Sequence, residues 1–210
     1  MASLSLKKIN LPLLSSSLYV TCQLLANILS TKIALLPVVN LAIDGGTVIY
    51  PLTFTLRDFV HKTWGKNNAR QLVVIAGLLN FLMVGLFWLI GQMTPAPSWS
   101  FQAAYEAILL PVFRIVLASV VAQIISELID TEVFSYFYKK FNDWLAVLVS
   151  NFFGLLADSF IFGFLAFFGN LPLSTVWQII FVNIIIKLII SILSVPSISL
   201  IPRTVKIEEI

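Results

Sequence analysis

Eight polar or charged side chains fall within or at the edges of long apolar stretches of this chain: Asn27, Lys32, Asp58, Arg114, Glu127, Asn151, Asp158 and Lys187. A charge at bilayer depth costs roughly 2.5–3.5 kcal/mol even on the lenient insertion scale, so ionisable residues there face one another or a cavity. Asn151 and Asp158 are seven apart in the run Trp144 to Phe168. A helix turns about 100° per residue, which nearly aligns them, with Gly154 beside. Asn183, Lys187, Ser191 and Ser194 form one polar stripe farther on. Ser119, Gln123, Ser126, Glu127 and Asp130 cluster together, with Arg114 roughly opposite. Gln23, Asn27 and Ser30 share a stripe in the first run, and Lys32 lies off it. With Arg57, the charges are Lys32, Arg57, Arg114 and Lys187 against Asp58, Glu127, Asp130 and Asp158, so pairing can neutralise a bundle interior. Two uses compete. Such groups can bind a polar ligand, or they can serve helix packing and snorkel at the membrane edge.

Catalysis finds little support. His61 is the only histidine and has no adjacent nucleophile, and Cys22 is the only cysteine. A phosphate-binding glycine loop, a metal-binding His motif and Gly-x-Ser-x-Gly are all missing from the sequence. The expectation is a protein that is not an enzyme and holds neither metal nor cofactor.

The elements that position these residues are membrane helices. The 210 residues are 59% hydrophobic and 11% charged, with mean hydropathy +0.98; a soluble domain has about 45–50% apolar and about 25% charged residues. The fold class is therefore an all-α integral membrane protein. About 20 residues cross the hydrocarbon. Six spans in one bundle can be drawn over residues 14–32, 46–60, 71–90, 107–129, 144–168 and 176–201, a single transmembrane domain over 1–210. Pro196 is expected to kink the last. Lys7 and Lys8 precede a run too long for a signal peptide, so the first span reads as a retained anchor. Val38 to Ile43 and Thr47 to Ile49 flank Asp44-Gly45-Gly46, a signal for a small β-hairpin on the outer face, its turn made by glycines at positive φ, with a plain loop as the alternative. The net charge of +3 follows the membrane and predicts no nucleic-acid partner.

Gly46 to Asp58 (GTVIYPLTFTLRD), with Trp64-Gly65 and Ala69-Arg70, resembles the signature of the VUT family, the vitamin-uptake-like proteins known as queuosine precursor transporters. The resemblance continues through Arg114, Ala118-Ser119, Ser126, Asp130, Asp158-Ser159, Ala166 to Gly169 and Lys187, and Asn27 and Lys32 fit its first span. It covers about Asn27 to Pro196. His61, Trp64 and Glu127 depart from the Glu, Tyr or Phe, and Gln that the family commonly shows. The resemblance implies a six-helix importer of a deazaguanine precursor of queuosine, such as 7-cyano-7-deazaguanine, across the inner membrane. Such a base is planar and donor-rich on one edge. A carboxylate can accept from that edge in bidentate fashion, Lys, Arg or Asn can donate to the carbonyl, and an aromatic ring can stack on the face. The partners expected are this small molecule and the lipid bilayer, with a homo-oligomer left open. The alternative is a substrate-binding subunit of an energy-coupling-factor vitamin importer, whose first span usually shows small residues four apart; here Ala26, Ser30 and Ala34 match imperfectly. A third reading is a structural or assembly protein without a ligand.

Lys/Arg excess marks the cytoplasmic side. Lys7, Lys8, Lys62, Lys66, Arg70, Lys139, Lys140, Arg203 and Lys206 all fall on one side of the six-span plan, and the alternate loops 37–45, 91–106 and 169–175 have neither Lys nor Arg. Both termini are predicted cytoplasmic. A C-terminal fusion is expected to be active with a cytoplasmic reporter and silent with a periplasmic one; the reverse pattern removes the six-span plan.

Overall fold

The computed structural model describes the backbone of residues 10–37, 39–140 and 143–200; Lys7, Lys8, Val38, Arg203 and Lys206, and the side chains of Glu127, Asp130, Asn151, Ser191 and Ser194, lie outside the described residues. Along the chain run α1 (Leu11–Leu29), β1 (Ile33–Leu35), β2 (Ala42–Asp44), a 3-10 turn (Gly45–Val48), α2 (Pro51–Trp64), α3 (Lys66–Gly91), α4 (Gln102–Leu109), α5 (Val112–Lys140), α6 (Asp143–Phe167) and α7 (Leu173–Leu200). Segments 11–29, 67–91, 102–126 and 173–190 are long and apolar enough to cross a membrane, and Phe152–Phe167 of α6 is apolar but shorter. Leu78, Leu82, Leu86 and Leu89 of α3 are all exposed. Their spacing of three and four residues makes the apolar stripe that a lipid-facing helix needs. The molecule is a helical, multi-pass membrane protein.

Local chemistry sets the helix ends. Asn10 Oδ1 accepts from the Leu13 N–H at 3.2 Å, and Pro12 follows at the start of α1. Proline is tolerated there because the first N–H groups have no partner within the helix. Gly65, at φ 87°, separates α2 from α3. α7 continues through Pro196 to Leu200.

The expected span at residues 46–60 is not one continuous α-helix. α2 starts only at Pro51 and has 14 residues, about 21 Å at about 1.5 Å each, against roughly 30 Å of hydrocarbon. The chain before it is not α-helical. β1 and β2 pair antiparallel, with Ile33 opposite Asp44 and Leu35 opposite Ala42, and the 3-10 turn leads on to α2. A small hairpin therefore exists, but its strands lie earlier than the sequence signal suggested. Its loop is closed by the Leu36 N–H to Leu41 O and the Asn40 N–H to Leu36 O. Among the described residues of this loop the left-handed one is Asn40, at φ 52°, a conformation that asparagine tolerates.

Gly45 and Gly46 have a different purpose from the one their Asp-Gly context suggested. A Cβ on Gly46 would lie 2.5 Å from Ala26 O and 2.1 Å from Ser30 Oγ, and one on Gly45 would lie 2.5 Å from Leu29 O. They let the turn press against the end of α1. Ala42, Ile43 and Asp44 are buried as a result. Irregular backbone at membrane depth must find partners within the protein. Gly45 N–H donates to Lys32 O at 2.9 Å and Ala42 N–H to Gln178 Oε1 of α7 at 3.0 Å.

Among the described residues the helices pack in three apolar groups. Tyr19, Val60, Leu72 and Ala76 join α1, α2 and α3; Val84, Val112 and Val116 join α3 and α5; Ile115, Ala118, Ala166, Ile179 and Ile180 join α5, α6 and α7. Gly163 admits Ile180, since a Cβ there would lie 2.3 Å from Ile180 Cγ1. Overpacking of this kind costs about 1–3 kcal/mol. Gly46→Ala is expected to lower the melting temperature in detergent, whereas Asn40→Gly, at the true left-handed turn, leaves it nearly unchanged. Equal melting temperatures would contradict the close-approach role of Gly46.

Candidate functional site

The centre of the site is an ion pair between consecutive helices. Lys187 of α7 donates from Nζ to Asp158 Oδ2 of α6 at 2.5 Å and to Ser159 Oγ at 3.2 Å. The two charged side chains are 2% and 8% exposed. Each neutralises the other where an isolated charge would be strongly disfavoured. Lys187 Nζ also lies 5.1 Å from the centroid of the Tyr50 ring, within the range of cation–π attraction.

The pair forms one end of a cavity of about 150 Å³. α1 contributes Tyr19 and Gln23, the chain from Tyr50 to Asp58 forms a second wall, α5 contributes Gln123 and Ser126, and Gly154 and Leu155 of α6 complete it. The short α2 is what makes the space, because its first turn begins beside the ion pair. Tyr50 and Phe54, one turn apart, meet edge to face at 5.5 Å. The Arg57 guanidinium lies 5.9 Å from the Phe54 centroid and 3.8 Å from Asp58 Oδ1. These two side chains are 35% and 38% exposed, so the cavity runs from a buried charge pair to a more open polar end. It offers a carboxylate, an ammonium, amide and hydroxyl groups and aromatic faces, which suits a small planar molecule with both donors and acceptors.

Of the eight residues singled out in sequence, Asp58, Asp158 and Lys187 line this cavity. Asn27 lines a smaller adjoining one of about 20 Å³, and its Nδ2 donates to Asn80 Oδ1 of α3 at 2.7 Å. Lys32 is exposed and lines neither. Arg114 lines neither as well. Its Nε donates to Leu165 O at 2.7 Å and its Nη2 to Phe168 O, which caps the last carbonyls of α6. The side chains of Glu127 and Asn151 lie outside the described residues. Sequence reasoning missed Tyr50 and Phe54, although an aromatic pair one turn apart around Pro51 was readable. It also missed Asp44, which it took for a turn residue.

Residues 44–201 match a family model described as "Putative vitamin uptake transporter". The chain belongs to this family. Among curated proteins, a Bacillus subtilis "Probable queuosine precursor transporter" is 32% identical over 72% of this chain and 68% of its own length. A Haemophilus influenzae protein of the same name is 29% identical over 70% of this chain and 63% of its own length. The Escherichia coli "Queuosine precursor transporter" is 27% identical over 60% of this chain and 55% of its own length. The matched region thus spans less than two thirds of two of these family members. All three are named as transporters rather than enzymes. No solved structure gives a significant match.

Removing one partner of a buried ion pair costs about 3–5 kcal/mol, because the other charge is left uncompensated. Lys187→Met alone is therefore expected to destabilise the protein strongly in thermal unfolding, and Asp158→Asn with Lys187→Met to recover most of the loss. A double variant no more stable than the single one would contradict the pairing.

Proposed function

We propose that this chain imports a deazaguanine precursor of queuosine, 7-cyano-7-deazaguanine or a close relative, as a six-span protein of the inner membrane with both termini cytoplasmic. The names of the relatives support the substrate class. The observation that carries the reading onto this chain is the buried Asp158–Lys187 pair at the end of an aromatic-walled cavity. Asp158 accepts from the ring N–H and exocyclic amine of the base, and Lys187 donates to its carbonyl. The base then takes up two charges that otherwise pair with each other. Tyr50 and Phe54 cover its face. Asn27 sets the α1–α3 contact beside the site, and Arg114 holds the end of α6, so both act on the ligand through other residues.

Six spans arise when α1, α3, α6 and α7 cross singly, α4 and α5 together form one crossing, and α2 completes another with the hairpin and 3-10 turn before it. The single domain covers all of these elements. The small residues Ala26 and Ser30, which a coupling helix would present outward, are buried against Gly46. This favours a transporter working without separate ATPases.

Expression in a host that lacks both precursor import and an ATPase module is expected to restore precursor-dependent queuosine in tRNA. Asp158→Asn is expected to reduce affinity by one to two decades, since a hydrogen bond to a charged group contributes about 1.5–3 kcal/mol. Wild-type protein that reaches the membrane without restoring queuosine, or unchanged binding in Asp158→Asn, would contradict the proposal.

A further inference from the structure

The cavity of about 20 Å³ adjoins the larger one across Tyr50, Asp158 and Lys187, which line both. It has room for little more than one water. Among its other polar walls are Asn27, Asp44, Ser119 and Asn183, all buried. Their contacts show which of these groups still lack a hydrogen. Asn80 Nδ2 donates to the Ala76 carbonyl at 2.9 Å, so Asn80 Oδ1 is an acceptor. Asn27 therefore meets it with Nδ2, at 2.7 Å, and presents its own Oδ1 on the other side of the amide. Among the described residues no donor reaches that oxygen.

Asp44 has a donor for each of its own contacts. Oδ1 accepts from Ser30 Oγ at 2.7 Å and from the Thr47 N–H at 3.2 Å. Oδ2 accepts from Thr47 Oγ1 at 2.6 Å and from Asn183 Nδ2 at 3.0 Å. It stands as a carboxylate, and among the described residues no cation pairs with it. The Thr47 hydroxyl carries a single hydrogen, and the charged, nearer oxygen takes it. Asn183 Oδ1, 3.0 Å from the same hydroxyl, is left without a donor. The described lining thus holds two carbonyl oxygens open to a donor, Asn27 Oδ1 and Asn183 Oδ1. It also holds two carboxylates, Asp44 and Asp158, against the one ammonium of Lys187. A buried negative charge left over in this way is strongly disfavoured unless a cation joins it.

We infer that this small cavity is the subsite for the C7 substituent of the base, and that it selects an alkylammonium, as in 7-aminomethyl-7-deazaguanine, over a nitrile. The inference rests on the substrate reading above and decides among the close relatives it names. In a 7-deazaguanine the C7 substituent leaves the ring beside the carbonyl. With the carbonyl at Lys187, the substituent passes between the two cavities, where Tyr50, Asp158 and Lys187 meet. An aminomethyl group and a nitrile each add two heavy atoms, so volume does not separate them. Their chemistry does. An ammonium has three donors and no acceptor, which suits Asn27 Oδ1 and Asn183 Oδ1. Its charge also brings the site to two carboxylates and two ammonium groups. A nitrile is an acceptor among acceptors and leaves the negative charge in place. Volume decides a third case, because queuine carries a carbocycle on the same nitrogen, more than about 20 Å³ admits. Asn27, which acts on the ring only through other residues, thus gains a direct contact with the substituent.

Equilibrium binding of four bases to the purified protein tests this: 7-deazaguanine, its 7-cyano and 7-aminomethyl derivatives, and queuine. Wild type is expected to bind the aminomethyl base at least tenfold more tightly than either the cyano base or queuine. Asp44→Asn keeps the shape of the side chain and removes its charge, and is expected to bring the aminomethyl and cyano bases within threefold of each other. Ser119 lines the small cavity and not the large one. Ser119→Val is expected to weaken both substituted bases at least tenfold relative to 7-deazaguanine. Ratios taken within one variant do not move with stability alone, and the wild-type ratios need no variant, so they decide even if Asp44→Asn does not fold. A cyano base bound as tightly as the aminomethyl base by wild type, queuine bound as tightly as either, or unchanged ratios in both variants overturns the inference while leaving the substrate reading intact. Binding of none of the four bases overturns the substrate reading, and the subsite with it.

Discussion

The Asp158–Lys187 ion pair is the interaction on which the other features depend. In a low-dielectric interior the attraction of two opposite charges is large, but so is the cost of bringing each there, and the balance is favourable only when the geometry holds. The geometry here is held by the close packing of α6 on α7. Gly163 admits Ile180 on the same interface. Arg114 fixes the far end of α6 through the Leu165 and Phe168 carbonyls. A charge pair deep in an apolar bundle is thus tied to residues that touch neither charge.

The second constraint is the missing half of a helix. An unbroken span between α1 and α3 would fill the space beside Lys187 with side chains. Instead the chain enters as a short hairpin and a 3-10 turn, and helix resumes at Pro51. Broken helices are a recurrent way to place polar backbone and ligand groups near the middle of a membrane. The polar contacts of Asp44, Thr47 and Asn183 fasten this irregular segment to α7, and Gly45 and Gly46 fasten it to α1. The same break therefore opens the cavity beside the ion pair and buries Asp44.

Much of this was legible in the sequence. Long apolar runs gave the apolar helices, and α3 (Lys66–Gly91) and α6 (Asp143–Phe167) run through the stretches 71–90 and 144–168. The cost of intramembrane charge singled out Asp158 and Lys187 without structural knowledge. Helical periodicity reports which residues share a face but not what the face meets, so Arg114 could be placed opposite the polar cluster without its carbonyl partners being foreseen. Asp44-Gly45-Gly46 was misread for a related reason. Glycine permits both positive φ and close approach, and only the position of α1 distinguishes them. Tyr50, Phe54 and Asp44 come together through contacts between distant segments that no local pattern encodes.

The central claim is that the cavity between α1, α2, α5, α6 and α7 is where the deazaguanine binds. Cysteine protection tests it most directly. Gln123 lines the cavity, while its neighbour Ile124 is 55% exposed on the outer surface and lines neither cavity; the native Cys22 is buried. In membranes carrying Gln123→Cys, 7-cyano-7-deazaguanine is predicted to slow labelling by a small thiol reagent at least tenfold, with no effect of adenine and no effect on Ile124→Cys. Labelling of Gln123→Cys at the same rate with and without the base, in protein shown to bind it, would place the substrate elsewhere.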